Sequence, residues 1–235
     1  SMLDEIKDLL ELCGIPFVTA PMEAEAQCAA LEELGLVDGV ISDDGDTFLF
    51  GARHVFKNIF DTTGAGVQTY WMDDIETELN CDRKRCVHLA HLLGSDYTTG
   101  VVGIGPVNAV EVLAAYPDDA ALRKFRDWAR TVGNDPRPPP APECDSDQEE
   151  EEDIAAARLR HRQLEFQYKH RNAKKHYMFE DGFPRPAVTN AYLEPEVNRD
   201  PQPFSWKEIR YDDLAEWCER TAGWDREETK KRLKP

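Results

Sequence analysis

Apolar positions in this chain change their spacing repeatedly, and each change marks an element. Ile6, Leu9, Leu10 and Cys13 recur at helical intervals and stop at Gly14, which predicts an amphipathic helix. Ile15, Phe17 and Val18 form a short apolar run broken at Pro21 and predict a buried strand; residues 22–34 are strong helix formers up to a stop at Gly35. Val37 to Ser42 is a second run of strand length. His54 to Phe60 and Val67 to Trp71 alternate, with Asp61-Thr62-Thr63-Gly64-Ala65-Gly66 between them, which predicts a hairpin. Helices are expected over 73–79 and 83–93, from Pro106 onward, over 154–179 with Leu159, Phe166, Ala173 and Tyr177 on one stripe, and over 214–217 and 227–233. Strands interleaved with helices predict an α/β fold. Trp206, Trp217 and Trp224 suit core or docking positions better than base-stacking platforms.

Composition narrows the picture. With 235 residues, 41% of them hydrophobic, the chain can bury a core and is not globally disordered. Its formal net charge is −18, an unusual balance for a nucleic-acid binder, but the charge is segregated. Glu143 to Asp153 holds eight acidic and no basic residues, whereas Ile154 to Glu180 holds seven Lys/Arg against Glu165 and Glu180. Pro136, Pro138, Pro139, Pro140 and Pro142 precede the acidic run, so 133–153 reads as an acidic disordered linker. The resulting division is 1–80, an α/β region; 81–132, a helical region; 133–153, the linker; and 154–235, a basic long helix with closing helices. The six cysteines show no disulfide rhythm, and no membrane-length apolar run occurs, which together predict a reducing intracellular compartment. A chain that opens within an amphipathic helix, after a Ser-Met pair, is expected to be an excised fragment.

The chemistry gathers in carboxylates at the ends of apolar runs. Glu23 and Glu25 follow Pro21, and Asp44 and Asp46 flank Gly45 directly after Val37 to Ser42. In open α/β sheets ligands collect beyond the carboxyl ends of strands, and crowded carboxylates need opposed charge, for which hard divalent cations with oxygen ligands are suited. Separate local roles also account for them: Glu23 and Glu25 favour a helix dipole, and Asp44 and Asp46 suit a turn. Asp96, delivered by Gly94-Ser95 at a helix end, is a candidate fifth ligand. An EF-hand is excluded, because the twelfth position from Asp43 or Asp44 is His54 or Val55. The spacing of Cys81, Cys86, His88 and His91 fits zinc poorly, and no nucleophilic triad competes. Gly100, Gly103 and Gly105 allow tight backbone turns and close approach to a phosphate, or a plain helix connector. Arg158, Arg162, Lys169, Arg171, Lys174 and Lys175 suit phosphate contact, partner binding or simply a solvated face.

Three stretches, PMEAEAQCAALEELG, ISDDGDTFLFGARHVFKN and LLGSDYTTGVVGIGP, resemble in order the internal nuclease region of the XPG-type structure-specific (flap) endonucleases. The Met22 variant, the FGARHVFKN continuation and GFPRPAVTNAYLEP are most similar to members that act in nucleotide excision repair. The resemblance spans most of the chain outside the acidic stretch near 134–153. It implies a PIN-like, flap-endonuclease sheet flanked by helices, a helix–two-turn–helix region and carboxy-terminal helices. It implies phosphodiester hydrolysis by two Mg²⁺ ions about 4 Å apart, with Mn²⁺ able to substitute, and Glu23, Glu25, Asp44, Asp46 and Asp96 as ligands. Gly100, Gly103, Ile104 and Gly105 would grip one DNA backbone and hold K⁺ through loop carbonyls, with Arg158, Arg162, Lys169, Lys174 and Lys175 adding phosphate contacts. The implied setting is the nucleus, as a monomer away from membranes. The implied partners are DNA at single-strand/double-strand junctions, in bubbles or flaps, and other repair factors. Family members also carry an amino-terminal nuclease region with further Asp ligands and a basic residue; nothing here matches it, so the isolated chain is expected to be weak or inactive. The alternatives are a catalytically incomplete DNA-binding or docking fragment and a PIN-like ribonuclease.

Overall fold

A computed structural model describes residues 1–62, 64, 66–133, 135–141 and 151–233. In chain order the elements are α1 (Met2–Leu12), α2 (Ala24–Glu33), β1 (Val40–Ile41), α3 (Asp46–Leu49), β2 (His54–Lys57), β3 (Gln68–Trp71), α4 (Met72–Leu79), α5 (Arg83–Leu93), α6 (Pro106–Ala115), α7 (Ala121–Arg130), α8 (Glu151–His170), a 3₁₀ turn (Ala173–His176), α9 (Pro186–Leu193), α10 (Tyr211–Ala222) and α11 (Arg226–Leu233). They group into two compact units, one of residues 1–38 with 196–235 and one of residues 39–195.

In the first unit, α1 opens with a capping box between Ser1 and Asp4, and α10 ends at Gly223 in the left-handed region. Gln27, buried on α2, donates to the Asn198 carbonyl at 2.9 Å and accepts from its N–H at 2.7 Å, which fastens the proline-punctuated return segment. The strand expected at Ile15, Phe17 and Val18 does not form: these side chains are exposed, Gly14 offers its carbonyl to Lys207 instead, and Pro16 has no N–H with which to extend a ladder. Trp206 and Trp224 are exposed rather than core residues.

The second unit is built on a three-stranded sheet in the order β1-β2-β3, with β1 parallel to β2 and β2 antiparallel to β3. The hairpin pairs His54 with Trp71 and Lys57 with Gln68, as the alternation of those runs foretold. Asp82 caps α5 by accepting from the Arg85 N–H at 2.8 Å. Arg83 donates to the carbonyls of Leu49 at 2.9 Å and Tyr192 at 2.6 Å, so the start of α5 holds both α3 and α9. The main core lies among α6, α7, the end of α8 and residues 177–183, with Phe125 wholly buried amid Trp128, Phe166, Tyr177 and Phe179.

Two expectations shift here. The long helix runs from Glu151 to His170 rather than over 154–179, because a 3₁₀ turn and then a bridge between Met178 and Val102 take over. Within the expected linker, Asp135 is tied down by the Trp128 indole at 3.0 Å and the Lys174 ammonium at 2.7 Å, while residues 134 and 142–150 lie outside the described residues.

His91 illustrates how burial sets pH behaviour. Its ring is fully buried, 2.9 Å from Thr189 Oγ1 and edge-on to Phe183. Burial, helped by nearby His88, pushes its pKa from 6.5 down to about 4. Across that window the folded chain binds fewer protons than the unfolded one, so this group's contribution is intact above 6.5 and lost as pH falls towards 4. The full loss is about 3 kcal/mol. Chemical melts of wild type and His91→Gln at pH values spanning this window check it: the wild type should lose about that much more than the variant, and parallel pH profiles would contradict the assignment.

Candidate metal and nucleic-acid site

β1 ends at Ile41, and the chain turns at once through Ser42, Asp43, Asp44 and Gly45 into α3. The turn is internally bonded, since the Asp44 N–H donates to Ser42 Oγ at 3.1 Å and the Asp46 N–H to Asp44 Oδ1 at 2.8 Å. Thr47 Oγ1 donates to the Asp44 carbonyl at 2.9 Å, and Asp43 accepts the Asn58 N–H at 2.6 Å. Asp44 is exposed and Asp46, the first residue of α3, is half-buried.

Tyr192, wholly buried on α9, donates its hydroxyl to Asp46 Oδ2 at 2.7 Å. Burial first, and then the Asp46 carboxylate, raise the phenol above its ordinary range and keep it a donor. Its ring also meets Tyr97 edge-on at 5.0 Å. One side chain thereby joins the Asp46 turn to Tyr97, the residue after Asp96, which is exposed beyond the carboxyl end of α5. Tyr192 was missed as a functional candidate; it stands in GFPRPAVTNAYLEP, a stretch noted for its resemblance alone.

Glu23 and Glu25 belong to the first unit, where Glu23 is the N-cap of α2, one step outside its expected helical position, and Glu25 lies in the first turn. Among the described residues no three His, Cys, Asp or Glu side chains are close enough together to hold a metal ion. The donors suit a hard divalent cation by type: carboxylate oxygens, with no ion pair between Asp44 or Asp96 and a basic side chain among the described residues. Cys81 and Cys86 contact each other, and His91 bonds Thr189.

The glycine turn is held from two sides. Val101 N–H returns to the Leu92 carbonyl at 2.9 Å, while Val102 exchanges hydrogen bonds of 3.0 and 3.3 Å with Met178. Thr98 Oγ1 donates to Glu180 at 2.6 Å. At Gly100, with φ +76°, a Cβ would lie 2.5 Å from the Gly94 nitrogen, so only glycine fits. Gly103, at φ +90°, passes against the Tyr177 ring, whereas a Cβ on Gly105 would meet nothing within 4 Å. Gly105 is the N-cap of α6 without a side-chain cap; Pro106 has no N–H, so the Val107 and Asn108 N–H groups are the ones that face an anion at this end, beside partly exposed Ile104.

The basic residues divide. Arg158, Arg162 and Lys175 are exposed; Lys169, also exposed, pairs with Glu111 at 2.5 Å; Arg162 reaches the Ala114 carbonyl at 3.5 Å. Lys174 is corrected: it is buried against Asp135 and the Trp128 ring, because the helix that was to carry it outward ends at His170.

Residues 14–96 match the family pattern described as the XPG I-region. The chain is 36% identical to the DNA repair protein rad13 of Schizosaccharomyces pombe, over all of this chain and 19% of that protein. It is similar to the catalytic core of Rad2 in complex with DNA substrate (TM-score 0.75, 38% identity, 99% of this chain and 66% of that one). A second structure of that catalytic core gives a TM-score of 0.73 and 36% identity over 99% of this chain and 72% of the other. The chain spans about a fifth of the length of the curated relatives it matches.

Proposed function

This chain belongs to the XPG-type structure-specific endonuclease family, and from that premise we propose that it is part of a DNA endonuclease of nucleotide excision repair, working in the nucleus at single-strand/double-strand junctions. Nucleases of this family depend on divalent metal ions. Glu23, Glu25, Asp44, Asp46 and Asp96 are the proposed oxygen ligands for two Mg²⁺, with Mn²⁺ as a substitute; bound there, the ions would supply water activation and charge stabilisation at the leaving oxygen. The observation that supports this most is the buried Tyr192, whose hydroxyl is bonded to Asp46 and whose ring meets Tyr97, the residue after Asp96. Tyr192 acts as a positioning residue, orienting the Asp46 carboxylate and steadying the loop of Asp96.

Binding is assigned to the turn from Gly100 to Gly105 and the open amino terminus of α6, where N–H groups and the helix dipole favour a phosphate and turn carbonyls suit K⁺. Arg158, Arg162, Lys169 and Lys175 extend the contact; Lys174 does not. Replacing Gly103 with valine forces a β-branched residue to φ +90° with its Cβ 3.1 Å from Tyr177 Cδ1, and should weaken DNA binding about tenfold, or about 1.4 kcal/mol. Fluorescence anisotropy on folded protein reads this, and unchanged affinity would remove the turn from the interface.

The function is tested with a labelled bubble substrate and Mg²⁺, for this chain alone and fused to a family amino-terminal nuclease region, with binding measured in EDTA. Weak or absent cleavage alone, strong cleavage in the fusion and loss of both with Asp44→Ala are expected. Binding in EDTA without cleavage in either form would favour a docking fragment, and preference for an RNA duplex would favour the ribonuclease reading.

A further inference from the structure

The loop between α4 and α5 brings two sulfurs together. Asn80 turns the chain through the left-handed region, at φ 48°, so that Cys81 lies over the first turn of α5. There the Cys86 N–H bonds the Asp82 carbonyl at 2.9 Å, and the Cys81 and Cys86 sulfurs stand 3.4 Å apart. Cys81 is buried and Cys86 half-buried.

We propose that Cys81 and Cys86 are a vicinal dithiol that hydrogen peroxide converts to an intramolecular disulfide. Closing the pair takes the sulfurs from 3.4 Å to about 2.05 Å, a small adjustment at a loop–helix junction. The two thiols are unequal. The hydrogen-bonded contact with Cys86, and to a lesser degree the Arg85 charge, holds the Cys81 thiol below its usual range, whereas that same contact and burial push the Cys86 thiol up. The proposed sequence starts at Cys81. Its thiolate attacks one peroxide oxygen, the O–O bond breaks, and the departing hydroxide takes a proton to leave as water with Cys81 as the sulfenic acid. The Cys86 sulfur then attacks Cys81 Sγ, expelling the hydroxyl, which leaves as a second water with the Cys86 proton. Two thiols are oxidised by two electrons and one peroxide is reduced to two waters. Cys28 and Cys218 are disfavoured as competitors because burial raises their thiols.

The test treats the whole chain briefly with dilute hydrogen peroxide, blocks remaining thiols and digests with trypsin, which cleaves after Arg83, Lys84 and Arg85 and so separates the two cysteines. The expected result is a single species of two peptides joined through Cys81 and Cys86, two hydrogens lighter than their sum and split by dithiothreitol. In Cys86→Ser, Cys81 should stop at the sulfenic acid and take up dimedone. As a measurement needing no variant, phenylarsine oxide, which bridges paired thiols, should protect both cysteines from alkylation. Linkage of either cysteine to Cys13, Cys28, Cys144 or Cys218 instead, or oxidation of Cys81 no faster than theirs, would overturn the proposal.

Discussion

Replacing Phe125 with alanine is expected to destabilise the second unit by about 3–5 kcal/mol. Its ring is wholly buried and meets four others: Trp128 at 6.1 Å, Phe166 at 6.2 Å, and Tyr177 and Phe179 each at 5.7 Å. These neighbours come from α7, α8 and the segment after the 3₁₀ turn, so removing the central ring leaves a cavity whose walls belong to separate elements. A domain of this size has about 5–15 kcal/mol to lose, and the variant should unfold at markedly lower urea. Phe125→Leu, which refills much of the volume, should lose far less. A loss below about 1 kcal/mol for the alanine variant would mean that the walls collapse inward.

Asp135→Ala is expected to cost about as much for a different reason. Its two carboxylate oxygens accept from the Trp128 indole at 3.0 Å and the Lys174 ammonium at 2.7 Å, and the Asp135 and Lys174 side chains are only 12% and 5% exposed. Deleting the acid strands a buried ammonium, a penalty of about 3–5 kcal/mol. The double variant Asp135→Ala/Lys174→Met should recover much of that loss, because neither charge remains to be desolvated. Urea melts of the single and double variants decide it; equal losses would show that the indole bond, rather than the ion pair, carries the effect. A deletion of the acidic stretch should accordingly begin after Asp135.

What could be read from the chain depended on how local the cause was. The helices were legible because their causes lie within a turn or two: Pro106 at the start of α6, and the regular apolar positions of α1 and α5. The hairpin was legible from its alternation and its glycine-bearing turn. Ile15 to Val18 misled because apolar residues favour a strand only when a partner ladder exists, and here the neighbouring Gly14 pairs with Lys207 through its backbone. Lys174 misled because a basic run was projected along a helix that stops four residues before it. In the candidate site the residue types and the turns at Asp44 and Gly100 were legible. Tyr192 was not, since its partner Asp46 lies 146 positions away and nothing near the tyrosine signals it.

The clamp on the glycine turn also has a consequence for the order of folding. Thr98 is bonded to a carboxylate 82 positions later, and Val102 to Met178, so the turn's bracing depends on contacts of large sequence separation. During synthesis α5 and α6 can emerge and coil while their connector still lacks its far wall, because local helices form much faster than distant pairings close. Only after residues 177–180 leave the ribosome, at about 5–20 residues per second, can the turn be locked. Nascent chains halted shortly before Tyr177 should therefore carry helices of nearly mature content on either side of a turn still sampling other backbone conformations.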